Sequence, residues 1–147
     1  MPTLITCDGK SYTLDQGITS QCRFFDFCDP EGKYPLFYVT SDILEQVLQY
    51  SGHYRNIIWD ITKHVRRDID GNFYVHIPEW DQEFFKGMGS KWKLREVVKA
   101  AIYLDHLRLV DMGTRMIARS IRCHSRRNIE EARKVLEEPF WSSRMPF

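Results

Sequence analysis

No stretch of this 147-residue chain approaches the run of about eighteen apolar residues that a membrane-crossing helix needs. Met1-Pro2-Thr3 does not begin a secretory signal. Cys7, Cys22, Cys28 and Cys123 form no CxxC pair and no metal-ligand spacing, so buried, reduced thiols in a cytosolic or nuclear protein are expected. His53, His64, His76, His106 and His124 are scattered, with no HExxH and no nucleophile elbow. Asp68-Ile69-Asp70 lacks the other ligands of a calcium loop, and Gly87-Met88-Gly89 lacks the third glycine and preceding strand of a dinucleotide site. Internal repeats and low-complexity segments are also missing. What remains is the expectation of a non-enzymatic domain without metal or cofactor.

The formal net charge of +1 conceals an asymmetry. Residues 1–85 hold 7 Lys/Arg against 13 Asp/Glu, whereas residues 86–134 hold 13 against 5. Arg115, Arg119, Arg122 and Arg126 follow the i, i+4, i+7, i+11 spacing of one helix face. Such a stripe suits an acidic partner or phosphates, or is simply solvated. No nucleic-acid motif accompanies it.

With 43% apolar residues the chain has enough to bury one ordinary core. Leu4-Ile5-Thr6-Cys7 and Ser11-Tyr12-Thr13-Leu14 are strand candidates around Asp8-Gly9, a pair that tolerates the positive φ of a tight turn. Residues 18–28 read as a short helix stopped by Asp29-Pro30-Glu31-Gly32, and residues 34–39 as a strand. Thr40 is a candidate N-cap for a helix burying Ile43, Leu44, Val47 and Leu48. Ile57, Ile58, Ile61 and Val65 recur at helical spacing beside Trp59. Residues 57–75 are therefore expected to be ordered, to bury Trp59 and to cover part of the core, with a partner surface as the alternative. Three further helices follow: one capped by Asp81 and ending near Gly87, one burying Leu94, Val97, Val98, Ala101, Ile102 and Leu104, and one over residues 107–123. Residues 128–136 form a last candidate, with Asn128 and Glu131 spaced as in a capping box.

Trp80-Asp81-Gln82-Glu83-Phe84, then Ala100-Ala101-Ile102-Tyr103-Leu104-Asp105, then Glu130-Glu131-Ala132-Arg133-Lys134, with Cys7-Asp8-Gly9-Lys10 upstream, closely resemble the Skp family. These are small adaptors that bridge a cullin and an F-box protein in ubiquitin ligases. The resemblance implies an α+β fold of BTB/POZ type, a small sheet with packed helices, extended by C-terminal helices. It divides the chain into residues 1–76 and 77–147, with the POZ fold completed near 123 and an F-box-binding extension over 124–147. It also implies a cytoplasmic and nuclear protein working in ubiquitin-dependent degradation.

Carried over residue by residue, the resemblance makes Leu109, Met112, Met116, Ile129, Ala132 and Leu136 F-box-binding positions, and Ile102 and Tyr103 cullin-facing ones. The same Leu109–Met116 stripe reads equally as internal core, and Tyr103 as a core tyrosine with a wet hydroxyl. Expected partners are an F-box protein and a cullin, with a second copy of the chain as a further candidate and no membrane.

Several positions depart from the family. Ile102 stands where an Asn is usual, so cullin binding is expected to be weakened, or this surface to serve another partner. The apolar residues 57–75 replace an acidic loop, and Glu137-Glu138-Pro139-Phe140-Trp141 replaces the usual tail. These departures motivate an alternative, a paralogue acting as a structural or oligomeric scaffold outside the ligase.

Overall fold

Positive φ is costly for side chains with a Cβ, and at Gly9 (φ +88°) the chain turns back at no such cost. In the computed structural model, which describes residues 1–125 with side chains to residue 121, this turn joins β1 (Thr3–Ile5) to antiparallel β2 (Ser11–Thr13). Leu4 pairs with Tyr12 and is fully buried. β3 (Lys33–Pro35) runs parallel to β1 with Leu4 opposite Tyr34, giving the order β2-β1-β3. Pro35 has no N–H to donate and sits in an edge strand, where one is least needed.

Between β2 and β3 the expected helix over residues 18–28 is replaced by two short pieces. α1 (Gln16–Thr19) is capped by Asp15, whose carboxylate accepts from Ile18 N–H at 3.2 Å. A 3-10 turn follows over Arg23–Phe27. Cys22 between them is extended because its backbone bridges to His106, while Arg23 N–H donates to Asp105 C=O at 3.2 Å. A tertiary pairing here overrides local helix preference. The strand expected over 34–39 is likewise shorter. After Pro35, Leu36 N–H donates to Ile5 C=O (2.7 Å) and Cys7 N–H to Val39 C=O (2.9 Å), leaving Phe37 and Tyr38 at the tip of a turn.

α2 (Ser41–His53) buries Ile43, Leu44, Val47 and Tyr50, as its spacing predicts, with Leu48 half-buried. Thr40 holds the N-cap position, but its hydroxyl makes no capping bond. The Asp8 carboxylate in the β1–β2 turn takes that role, accepting from Ser41 N–H at 3.0 Å and from Ser41 Oγ. These bonds, the Ser41 hydroxyl foremost, hold the Asp8 carboxyl at a pKa of about 2.

The chain divides into two compact units, Met1–Ile58 with Glu96–Asp111, and Trp59–Arg95 with the chain from Met112 onward. The first contains the three-stranded sheet, α2, the second half of α4 (Lys91–Leu104) and the start of α5 (Leu107–Ser125). Its core includes Leu4, Leu44, Val47, Tyr50, Val97, Ala101, Leu104 and Leu109.

The second unit opens with a departure from expectation. No α-helix spans residues 57–65. Ile61–His64 is a 3-10 turn, followed by a hairpin of β4 (Val65–Arg67) and β5 (Phe73–Val75). Asp68 shapes its turn, its carboxylate accepting from the N–H groups of Asp70 and Asn72, with Gly71 at φ +84°. Ile57, Ile58, Ile61 and Val65 are all exposed, and Trp59 is half-buried, stacked on His64 at 5.1 Å. The helical spacing did not prevail, because a short amphipathic helix stabilises only where its apolar face meets a core. α3 (Glu79–Lys86) begins after Pro78, so Asp81 lies in the first turn rather than at the cap, fully buried beside fully buried Phe85. Gly87 ends it.

Candidate functional site

α4 ends in a tight C-terminal motif that sets the direction of its last exposed side chains. Asp105 occupies the left-handed region at φ +53°, His106 N–H donates to Ala101 C=O (2.9 Å), and Asp105 N–H donates to Ile102 C=O (3.1 Å). These are the two bonds of a Schellman cap, with Asp in place of the usual Gly. His106 then starts α5: its Nδ1 accepts from Leu109 N–H at 3.2 Å. Nε2 therefore carries the proton and donates to Ser51 Oγ at 3.0 Å, and that hydroxyl donates to Val47 C=O at 2.8 Å. Burial, reinforced by Arg108, lowers the His106 pKa to about 4, so the ring is neutral at physiological pH. With both nitrogens occupied the imidazole has no lone pair for catalysis; its role is architectural.

Immediately before this cap, Ile102 is 59% and Tyr103 54% exposed. Ile102 thus leaves the buried face that its spacing predicts, whose other members Leu94, Val97, Val98, Ala101 and Leu104 are buried. Tyr103 is a surface residue rather than a core tyrosine. Its ring lies 5.5 Å from Phe24, which in turn meets Tyr34 edge-on at 5.7 Å. Beside it opens a cavity of about 400 Å³ lined by Leu36, Phe37, Tyr38, Val39, Glu96, Lys99, Ala100 and Tyr103. Phe37 and Tyr38, 75% and 94% exposed, form its outer wall. Sequence reasoning missed them by assigning both to a strand. Two adjacent aromatics between buried Leu36 and Val39 break strand alternation, and that was the available signal. Exposed aromatics around a concave apolar surface are suited to docking another protein.

The other candidate positions are placed differently. Leu109, Met112 and Met116 are buried. Ile129, Ala132 and Leu136 lie outside the described residues, as does the candidate capping box at Asn128 and Glu131. Of the basic stripe, Arg115 is half-buried, and Arg119 is exposed and donates to Gln82 Oε1 at 2.9 Å. Arg122 and Arg126 lie outside the described side chains. Cys22 is buried, with its thiol pushed up to about 12 by burial and then by Asp105, but Cys7 is exposed, contrary to expectation. Among the described residues no cluster of His, Cys, Asp or Glu is arranged to hold a metal, and no helix is long and apolar enough to cross a membrane.

The described residues form a mixed α+β protein with an exposed aromatic, apolar patch beside a cavity, a surface suited to docking another protein. No family model matches the chain. It is 30% identical over 141 residues to suppressor of kinetochore protein 1 of Schizosaccharomyces pombe, covering 92% of this chain and 84% of that protein. It is 29% identical to the E3 ubiquitin ligase complex SCF subunit sconC of Emericella nidulans, covering 92% and 82%, and 27% identical to SKP1-like protein 13 of Arabidopsis thaliana, covering 80% and 73%. The chain belongs to the Skp family.

Proposed function

We propose that this protein is the adaptor of an SCF-type E3 ubiquitin ligase, linking an F-box substrate receptor to a cullin and acting without chemistry of its own. Relatives named as SCF subunits support the role over most of the chain's length. The observation on this chain that supports it is that Ile102 and Tyr103, the positions the family resemblance makes cullin-facing, are both exposed. In this reading the sheet and its helices form a BTB/POZ-like body, residues 1–76 completed by residues 77 to about 123, and residues 124–147 are the F-box extension. The cullin sits against Ile102 and Tyr103, with Phe37 and Tyr38 alongside. The F-box helices dock through the positions that the resemblance assigns, Leu109, Met112, Met116, Ile129, Ala132 and Leu136. The protein works in the cytoplasm and nucleus.

Separate co-purification with an F-box peptide and with a cullin N-terminal domain tests the proposal. Binding of both is expected. Binding of neither, by a folded protein, overturns it.

A further inference from the structure

The β4–β5 hairpin is the part of the molecule the adaptor reading leaves without a role. Its ladder is fixed by Val65 opposite Val75, Arg66 opposite Tyr74 and Arg67 opposite Phe73. His76 N–H donates to His64 C=O and Asp68 N–H to Asn72 C=O. Hydrogen-bonded pairs alternate along an antiparallel ladder, so in β5 the outward-pointing peptide groups are those of Phe73 and Val75. Among the described residues no third strand joins this two-stranded sheet. Phe73 is 69% exposed and Tyr74 46%, and the Arg67 guanidinium lies 4.8 Å over the Phe73 ring. An isolated hairpin is marginal in water, and soluble proteins usually protect such an edge by keeping it very short or with charge, proline or a bulge. β5, three residues long, carries no charge, proline or bulge.

We propose that the hairpin is a self-association element, in which β5 of one molecule pairs antiparallel with β5 of a second copy about a two-fold axis through Tyr74. In that register Phe73 faces Val75 of the second copy, Tyr74 faces Tyr74 and Asn72 faces His76, so no like charges meet. The outward peptide groups of Phe73 and Val75 exchange four hydrogen bonds, and one face becomes a continuous row of Val65, Val75, Phe73 and Arg67 from both copies. The same operation on β4 would set Arg66 against Arg66, and like charges directly opposite destabilise a sheet. Charge selects β5. Across 57–76 the three acids Asp60, Asp68 and Asp70 are balanced by Lys63, Arg66 and Arg67, so two copies meet without net repulsion. The proposal is independent of the adaptor reading.

Sedimentation of the full chain over a concentration series is expected to show a reversible dimer, and Tyr74→Lys to raise its dissociation constant by about tenfold or more. A second variant fixes the register. Opposed residues at a non-hydrogen-bonded position have Cα atoms about 4.5 Å apart, within disulfide reach, so Tyr74→Cys should form a covalent dimer under mild oxidation. Arg66→Cys, with two strands lying between it and its counterpart, should link no more than the unsubstituted chain with its native cysteines. If Tyr74→Lys fails to fold by circular dichroism, the cross-linking pair decides alone. A chain that stays monomeric throughout, including one that captures a strand of another protein, overturns the proposal. So does a dimer in which Tyr74→Cys gives no link above the Arg66→Cys level.

Discussion

At Asp105 the chain enters the left-handed region because only there can one residue turn α4 into α5 while closing both Schellman bonds. Asp tolerates that conformation better than branched side chains do. Asp105→Gly is expected to keep stability within about 1 kcal/mol, and Asp105→Val to lose roughly 1–2 kcal/mol, read by urea unfolding. His106 supports the same junction and makes stability depend on pH. Its pKa is lowered from 6.5 to about 4 in the folded state, so between those values the unfolded chain binds the extra proton. The His106 contribution is therefore fully present above pH 6.5 and is lost as pH falls towards 4, by at most about 1.4 kcal/mol per pH unit. His106→Asn keeps an acceptor for Leu109 N–H but does not titrate. Equal loss of stability in both proteins between pH 6.5 and 4 would refute this account. None of this was legible in the sequence, where His106 was one of five scattered histidines; a buried tautomer is decided by neighbours distant in the chain.

The helix elements were largely legible and their caps were not. The α2 face follows from the spacing of Ile43, Leu44 and Val47, yet the cap comes from Asp8, 33 residues upstream, instead of Thr40. Asp8→Asn is expected to lower the urea midpoint at pH 7. Because the Asp8 pKa is held at about 2 against an ordinary 3.8, that difference should persist above pH 3.8 and shrink as pH falls to 2. A difference unchanged down to pH 2 would show that the carboxylate charge is irrelevant to the cap. Residues 57–65 show the opposite failure. Their helical period was genuine, but periodicity carries no information about whether a core lies opposite, and the segment became a 3-10 turn and hairpin.

For the whole molecule, the proposed adaptor role with separate cullin and F-box surfaces implies separable losses. Tyr103→Ala should weaken cullin binding by roughly 1–3 kcal/mol and leave F-box binding and folding intact, since the side chain is half in water. Ile102→Asn should strengthen the cullin complex. Isothermal titration of each partner measures both; equal weakening of both partners by Tyr103→Ala would mean the surfaces are not distinct. The sequence alone determined the family, the α+β class, the buried faces of α2 and, except at Ile102, of α4, and the exclusion of recognisable catalytic motifs, because these reside in residue order and local spacing. Only the tertiary structure decided that Ile102 and Tyr103 face water, that Phe37 and Tyr38 wall a cavity beside Tyr103, that Met112 and Met116 are buried, and that residues 65–75 form a hairpin. Exposure depends on what lies opposite a residue in space, and a one-dimensional pattern specifies which side chains share a face but not what that face meets.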